Sequence, residues 1–235
     1  MVVEKDFFVG YRAADVNLNM KNSAILDAFQ NVAGLHGKIA DEKSNNIGSV
    51  WLLISYKVNV IKRPKFGDNL KAYTWSTDIK GIESVREFEI RNEMNELVIT
   101  GISNWVHLKD NKLEKIPEQL IEAYELEPQK TNYNEMRLKK LLDPEDYLYS
   151  KDYIIDWNWI DLNNHMNNTY YLDLADMLLP DELKNIKVES FEVLYKREIK
   201  YKEKVKCFYS EKDESKFITI KSEDLNTLHA IIKLN

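Results

Sequence analysis

A segment of thirteen residues occurs twice in this chain. Residues 161–173 repeat residues 15–27 without a gap, at a shift of 146 positions. Two copies of one supersecondary unit are the economical explanation, so the chain is predicted to contain the same folded unit twice. Six residues are identical in the two copies, and Ser23 meets Thr169; the identical residues of the first copy are Asp15, Asn17, Met20, Asn22, Leu26 and Asp27.

One difference between the copies has chemical consequences. Asn19 of the first copy stands where the second copy has His165, so one copy carries a titratable ring and the other does not. Asp161, Asn163 and His165 alternate, and alternate residues of an extended segment point the same way. Their polar groups are therefore predicted to converge on one spot. The structural alternative is that Asx residues before a helix serve as caps and turn formers.

A helix is predicted directly after this polar segment. Asn167 or Asn168 is a suitable N-cap, apolar residues beginning with Tyr171 follow at helical spacing, and Pro180 ends the pattern. Backbone N–H groups of residues 166–168 would then face the polar cluster. Such groups stabilise developing negative charge at a helix N-terminus.

The rest of each half reads as extended chain. In the first half, apolar residues from Ile25 to His36 form one helical stripe that ends near Ala40, and residues 41–48 are polar and loop-like. Residues 110–111 mark a turn. The predicted helix of the second half covers 168–179. The predicted strands are 7–11, 50–60, 69–78, 84–91 and 96–108 in the first half, and 147–159, 188–199, 201–210, 217–222 and 227–234 in the second.

This order of elements predicts an α+β protein with two tandem domains. Each domain would be a long helix wrapped by an antiparallel sheet. The predicted boundaries are 1–120 for the first domain and 147–235 for the second. Residues 121–146 have no strong period and carry charged residues and prolines, so they are predicted to be a linker with helical segments.

Composition narrows the possible functions. The formal net charge of −6 argues against a general nucleic-acid binder, and no apolar run reaches membrane-spanning length. A single cysteine, Cys207, excludes an internal disulfide and is predicted to be a buried strand residue. The first residues lack the apolar core of a signal peptide, so the protein is predicted to be cytoplasmic. His36, His107 and His229 are predicted to be structural, and their spacing suggests no metal cluster.

Several phrases, in order, resemble the acyl-[acyl carrier protein] thioesterases, which are built from two fused hot-dog folds. The resemblance covers nearly the whole chain. Its phrases are residues 51–73 with Arg63-Pro64 and Gly67-Asp68, residues 103–108, residues 115–118, the Asp161-x-Asn163-x-His165-x-Asn167-Asn168-x-x-Tyr171 phrase, and Tyr195-Lys-Arg197-Glu198.

The resemblance implies a catalytic network of Asp161, Asn163, His165 and Glu198 in the second domain. Plant relatives often have a cysteine after the glutamate, but here that position is Ile199, which implies direct attack by water. The division of labour between Glu198 and His165 stays open. Lysines alternate on both sides of Glu198, which favours a solvated strand charge unless the chain turns near Tyr201.

The resemblance also implies a fatty acyl thioester substrate, acyl carrier protein as the partner, and neither a metal nor another cofactor. The first domain would hold the acyl chain, with Phe29, Val32 and Trp51 as candidates, although core packing is an alternative role for each. Because acyl carrier protein is acidic, a net-negative enzyme would need a local basic patch to dock it. The candidate docking residues are Lys62, Arg63, Lys65, Lys196, Arg197, Lys200 and Lys202, and the alternative is a solvated lysine-rich strand edge.

Two other functions compete with acyl carrier protein hydrolysis. One is an acyl-CoA thioesterase of the same fold, and the other is a non-catalytic acyl-binding protein. A hot-dog dehydratase explains the sequence less well, because it would not account for Asn163 beside His165. Two fused hot dogs satisfy internally the pairing that single ones obtain by dimerising, so both a monomer and a homodimer are compatible with the sequence.

Overall fold

The helix predicted after the first copy of the repeat extends further than its apolar stripe. In a computed structural model, which describes residues 1–45, 49–110, 112–133, 138–184 and 186–235, this helix (α1) covers Asn22–Ser44. The predicted loop over 41–48 is therefore wrong for residues 41–44, and residues 46–48 lie outside the described residues. A last polar turn continues the helix, and Asn45 ends it with a left-handed φ of 52°.

The chain forms two compact units, Met1–Lys139 and Lys140–Asn235. In the first unit the antiparallel strands lie in the order β1-β3-β4-β5-β2, β6 pairs with β5, and α1 packs on β1 and β3. A short helix, α2 (Glu118–Tyr124), packs on α1, so part of the segment predicted as a linker belongs to this unit. The strands are β1 Val3–Phe8, β2 Ser49–Val60, β3 Asn69–Lys80, β4 Glu83–Asn92, β5 Leu97–Lys109 and β6 Lys112–Leu113.

The core of the first unit depends on a close approach between α1 and the sheet. Phe29 of α1 stacks on Phe88 of β4, with ring centroids 4.4 Å apart. Gly101 pairs with Phe88 across β4 and β5, and a Cβ atom at Gly101 would lie 2.3 Å from the Phe29 ring. Glycine is therefore required at this position because the ring occupies the space of any side chain.

A buried arginine lies in the same unit. One Arg86 nitrogen is 2.8 Å from His36 Nδ1 and 3.1 Å from Thr74 Oγ1, and all three residues are buried. Burial, and then the Arg86 charge, lowers the pKa of His36 to about 3. The His36 ring is thus neutral at pH 7 and accepts a hydrogen bond from the guanidinium, which agrees with a structural role.

The second unit repeats this plan with a much shorter helix. Its antiparallel strands lie in the order β8-β11-β10-β9-β7, and helix α3 contacts β9 and β11. Helix α3 has nine residues against 23 in α1, because Pro180 follows closely, and the helix predicted over 168–179 is confirmed to within two residues. The elements are β7 Tyr149–Ile154, α3 Tyr170–Leu178, β8 Ser190–Tyr195, β9 Lys204–Lys212, β10 Ser215–Ser222 and β11 Leu228–Leu234.

Most predicted strands are confirmed to within a few residues, and the α+β class with antiparallel sheets is confirmed. Three predicted strands run too far along the chain: the strand predicted over 7–11 ends at Phe8, that over 147–159 ends at Ile154, and that over 188–199 ends at Tyr195. Lys196 and Arg197 both direct their N–H groups to the carbonyl of His229, and the chain then leaves the sheet. Of the helices that the structure describes, none combines the length and the apolar character needed to cross a membrane.

The contact between Gly101 and Phe29 gives a stability prediction. A Gly101→Ala variant should lose about 1–3 kcal/mol of unfolding free energy, because the new methyl group overpacks a rigid core. Urea denaturation followed by tryptophan fluorescence measures this loss.

A matched control is Gly34→Ala, since Gly34 lies in α1 and a Cβ there would meet nothing within 4 Å. The control should gain up to about 1 kcal/mol, because alanine favours a helix over glycine. Equal stability of the Gly101→Ala variant and the parent would contradict the packing described above.

Candidate active site

The polar segment of the second unit is a closed turn. Asp161 Oδ1 accepts the backbone N–H of Asn163 at 2.8 Å and lies 3.4 Å from that of His165. The Asp161 N–H donates to the His165 carbonyl at 2.8 Å, and Asn164 has a φ of 64°. The predicted extended geometry is therefore wrong, because the aspartate accepts local backbone donors and bends the chain.

The first unit contains the same turn. Asp15 Oδ1 accepts the N–H groups of Asn17 and Asn19 at 2.8 and 2.9 Å, the Asp15 N–H donates to the Asn19 carbonyl at 2.8 Å, and Leu18 has a φ of 63°. The repeat read from the sequence is thus a repeat of backbone geometry. The aspartate that both copies share has the same structural task in each.

Each turn is joined to a second loop by a backbone hydrogen bond. Met20 N–H donates to the Pro64 carbonyl at 2.9 Å, and Met166 N–H donates to the Ile199 carbonyl at 2.8 Å. Pro64 and Ile199 are therefore structural equivalents, although they are not separated by the 146 positions that relate the two copies of the repeated segment. This equivalence extends the internal repeat into a region where the sequence alone did not reveal it.

Glu198 of the second unit corresponds to Arg63 of the first. The Arg63 guanidinium donates to the Met20 carbonyl at 2.7 Å and to Asn22 Oδ1 at 3.0 Å. Glu198 is exposed. The first unit thus fills this position with an internally bonded cation, whereas the second unit presents a carboxylate to solvent.

The loops that follow these residues are also equivalent. Asp68 Oδ2 accepts the N–H of Lys65 at 2.9 Å, and Glu203 Oε2 accepts the N–H of Lys200 at 2.9 Å. Lys202 has a φ of 64°. Glu198 therefore lies in a loop between β8 and β9, and the turn near Tyr201 that the sequence left open is present.

Two of the predicted oxyanion donors are occupied. The N–H of Met166 bonds to the Ile199 carbonyl and that of Asn167 bonds to the Trp159 carbonyl, both at 2.8 Å. The helix begins at Tyr170, and the Asn167 side chain accepts the N–H of Thr169 at 3.0 Å. The prediction that the backbone N–H groups of residues 166–168 are free is consequently wrong for Met166 and Asn167, because this segment pairs with neighbouring backbone before the helix starts.

The pKa of the buried Tyr171 responds to the charged residues of the site. Burial raises the pKa of Tyr171, and the charges of Glu203, Glu198 and Asp161 raise it further. The charges of both carboxylates of the predicted network therefore act on one phenol, which also faces the backbone of Ile199. The sequence prediction treated Tyr171 as an apolar helix position.

A difference between the two copies of the repeat could have indicated a role for Tyr171. The first copy has Ile25 where the second has Tyr171, so the phenol, like the imidazole of His165, is a polar group present only in the second copy of the phrase. His165 and Asp161 are half-buried, while the side chain of Asn163 is exposed at the tip of the turn. The site is therefore open to a ligand.

The candidate acyl-chain residues lie in the first unit. Phe29 and Val32 are fully buried in the core. Trp51 is half-buried and stands edge-on to His107 and Tyr124, at centroid distances of 5.3 and 5.8 Å. Trp51 is thus the more accessible of the three.

The candidate docking residues are mostly at the surface. Arg63 differs from the others, because its guanidinium is bonded within the first unit. Lys62 lies 3.5 Å from Glu96 in an exposed ion pair, which contributes little to stability. The docking candidates that are exposed are Lys62, Lys65, Lys196, Arg197, Lys200 and Lys202.

Cys207 lies in β9 and is fully buried, as predicted. Burial raises the pKa of its thiol to about 12. The thiol is therefore protonated at neutral pH and has no access to a substrate, which excludes it as a nucleophile in this structure.

Comparison with known proteins decides the family. Residues 1–124 match the model of the acyl-ACP (acyl carrier protein) thioesterase N-terminal domain, and residues 142–234 match that of the C-terminal domain. The chain belongs to the acyl-ACP thioesterase family. The resemblance carried by the sequence phrases is confirmed.

Curated relatives of this family are distant. The chain is 25% identical over 192 residues to the chloroplastic palmitoyl-acyl carrier protein thioesterase of Cuphea hookeriana, which covers 74% of this chain and 46% of the relative. It is 24% identical over 194 residues to the chloroplastic dodecanoyl-[acyl-carrier-protein] hydrolase of Cinnamomum camphora, which covers 74% of this chain and 50% of the relative. The match thus spans about half the length of these relatives.

Solved structures of the acyl-ACP thioesterase family share the fold. An acyl-ACP thioesterase from Bacteroides thetaiotaomicron aligns with a TM-score of 0.85 at 16% identity, covering 99% of this chain and 96% of that one. The 12:0-ACP thioesterase from Umbellularia californica aligns with a TM-score of 0.82 at 18% identity, covering 100% and 96%. The predicted fold of two tandem hot-dog domains is confirmed.

The burial of Cys207 gives a prediction about thiol reactivity. The native protein should react with an aromatic disulfide reagent far more slowly at neutral pH than the urea-unfolded protein, which should release one equivalent of thiolate per chain. Absorbance of the released thiolate measures both rates. Rapid stoichiometric labelling of the native protein, at the rate of the unfolded one, would contradict the assigned burial and raised pKa.

Proposed function

We propose that this chain hydrolyses the thioester of a fatty acyl group carried by acyl carrier protein, releasing a free fatty acid. The observation that carries the proposal is the pairing of Met166 with Ile199, which brings the backbone of His165 next to that of Glu198. Membership of the acyl-ACP thioesterase family supports the same reaction. The relatives include a palmitoyl-acyl carrier protein thioesterase and a dodecanoyl-[acyl-carrier-protein] hydrolase, which agrees with this reaction.

In this mechanism Glu198 and His165 share the activation of one water molecule. Glu198 is the general base that takes a proton from the water, and His165 orients the water and the thioester. The water oxygen attacks the carbonyl carbon and forms a tetrahedral oxyanion. The carbon–sulfur bond then breaks, the fatty acid leaves, and the proton passes to the sulfur to give the carrier thiol.

Asp161 and Asn163 prepare this site. The Asp161 carboxylate holds the turn that presents His165, as a carboxylate fixes imidazole geometry in a catalytic triad. The exposed Asn163 amide supplies a hydrogen bond to the thioester oxygen. This role falls to the side chain because the backbone N–H groups of Met166 and Asn167 already have partners.

The partner and the acyl chain are assigned to different surfaces. The exposed basic side chains next to Glu198, namely Lys196, Arg197, Lys200 and Lys202, would attract the acidic carrier protein. Lys62 and Lys65 are the accessible basic candidates of the first unit. The acyl chain would lie along α1 near Trp51, and access to Phe29 and Val32 would require the Phe29–Phe88 stack to open. We keep the cytoplasm as the predicted compartment.

Substitution of the proposed base and imidazole tests the site. Glu198→Gln and His165→Ala should each lower kcat on acyl carrier thioesters by roughly 100-fold or more, because proton transfer to a positioned group contributes about that much. Free thiol release measures the rate, and the melting temperature of each variant checks that it folds.

The duplicated unit offers a matched control for the imidazole. Asn19 occupies the equivalent place in the first unit, so Asn19→Ala removes a polar side chain from the same turn without touching the proposed site. Its kcat should equal that of the parent. If both Glu198→Gln and His165→Ala hydrolyse the substrate as fast as the parent, the site is wrong.

Substrate preference is a separate prediction. The same acyl group should be released with a higher kcat/KM from acyl carrier protein than from CoA, and the difference should shrink at high salt, because exposed charges steer the acidic carrier. A large preference for CoA would support an acyl-CoA thioesterase instead. Tight acyl binding without any hydrolysis would support the acyl-binding alternative.

A further inference from the structure

His229 is a buried histidine that contacts the loop of Glu198. It lies in β11 and is 1% exposed. Its carbonyl accepts the N–H groups of Lys196 and Arg197 at 2.8 and 3.3 Å. Its ring atom Nδ1 lies 3.2 Å from the Arg197 carbonyl, which is an acceptor, so Nδ1 is assigned a proton and donates to that carbonyl. Both the backbone and the ring of His229 therefore hold the residues that directly precede Glu198.

The other ring nitrogen reaches the far end of the same loop. His229 Nε2 lies 3.3 Å from Glu203 Oε1 without forming a hydrogen bond, and this contact is an ion pair when both ring nitrogens carry a proton. The second oxygen of Glu203 accepts the N–H of Lys200, and its carbonyl accepts the N–H of Ile155 at 3.0 Å. His229 thus bridges residues 197 and 203, and Glu198 lies within the segment that this bridge closes.

The first unit has the same backbone without the bridge. Val98 is the equivalent of His229, because its carbonyl accepts the N–H groups of Ile61 and Lys62 at 2.9 and 3.1 Å. Asp68 is the equivalent of Glu203 and is shorter by one methylene group. The side chain of Val98 offers no donor. The imidazole of His229 and the longer carboxylate of Glu203 therefore occur together in the second unit, whose loop carries Glu198 in place of Arg63.

We propose that His229 is a positioning residue for Glu198. It holds the loop over residues 197–203 so that the Glu198 carboxylate stays beside His165, and Glu203 is its partner in this task. The inference rests on the proposed function, because it assigns Glu198 as the base. Its physical basis is that a base displaced by even a small distance loses much of its rate advantage.

The test replaces His229 with valine, the residue that the first unit has at the equivalent position 98. His229→Val should lower kcat roughly 10- to 100-fold, as expected for a misplaced catalytic group, while KM stays nearly constant. His229→Gln keeps an amide donor for the Arg197 carbonyl and should restore part of the lost kcat. Glu203→Gln keeps an oxygen for the Lys200 N–H but removes the charge that faces His229, so it should lower kcat without unfolding the protein.

His107 provides a matched control. It is a buried histidine of β5 in the first unit, with Nδ1 3.1 Å from the Glu114 carbonyl. His107→Val removes an equally buried imidazole far along the chain from the loop of Glu198 and should leave kcat unchanged. An equal fall of kcat in the His107 and His229 variants would show a general structural effect and overturn the proposal.

A double-mutant cycle separates positioning from packing. In a Glu198→Gln background, His229→Val should cause little further loss, because the group that it positions is already gone. The same fold-loss in both backgrounds overturns the proposal.

Amide hydrogen exchange distinguishes this inference from the proposed function. In the His229→Val variant, residues 197–203 should exchange faster than in the parent, whereas the strands of the first unit should not change. If the parent lacks hydrolase activity, the proposed function fails, and unchanged exchange in 197–203 overturns the bridge independently. If the parent is active and Glu198→Gln is not, normal kcat in His229→Val overturns the positioning role alone.

Discussion

The backbone hydrogen bond from Met166 to the Ile199 carbonyl is the contact on which the candidate site depends. It joins two irregular segments that come from distant parts of the second unit. Each segment is held by a carboxylate that accepts its own backbone N–H groups, Asp161 in the turn and Glu203 in the loop. Hydrogen bonds of this kind fix loops that have no sheet or helix to support them. The functional side chains are therefore positioned by the backbone, and their identity can change while the scaffold stays the same.

The two halves illustrate this separation of scaffold and chemistry. Their turns and loops agree in hydrogen bonds and in left-handed positions, yet the residues at the site differ in charge and polarity. The first half has neither the imidazole nor the carboxylate that activate water in the proposed reaction, although it keeps the aspartate and the asparagine of the turn. The equivalent pairs, first half before second, are Asn19 and His165, Ile25 and Tyr171, Arg63 and Glu198, and Val98 and His229.

Much of this architecture could be predicted from the sequence. Alternating apolar residues and turn signals located most strands, and the repeated phrase located the two equivalent polar segments without their turn geometry. The extended geometry of 161–165 was wrong because Asp161 competes with regular structure for backbone donors, which periodicity does not register. The strand predicted over 188–199 was wrong beyond Tyr195 because the N–H groups of Lys196 and Arg197 both bond to the His229 carbonyl. The strand-like pattern of this segment does not show that contact. The pairing of Met166 with Ile199, which joins the segments that carry His165 and Glu198, is a long-range contact that local patterns do not encode.

The two bonds of Arg63 make a catalytic carboxylate at this position of the first unit costly to introduce. The guanidinium is tied to the Met20 carbonyl and to the buried amide of Asn22, so it stabilises the start of α1. A histidine at position 19 would still have no base at position 63, because a guanidinium cannot accept a proton. Replacing the arginine would leave two buried acceptors without their donor. Neither substitution alone would therefore build a second site, and the fold itself limits the first unit to one set of reactive groups.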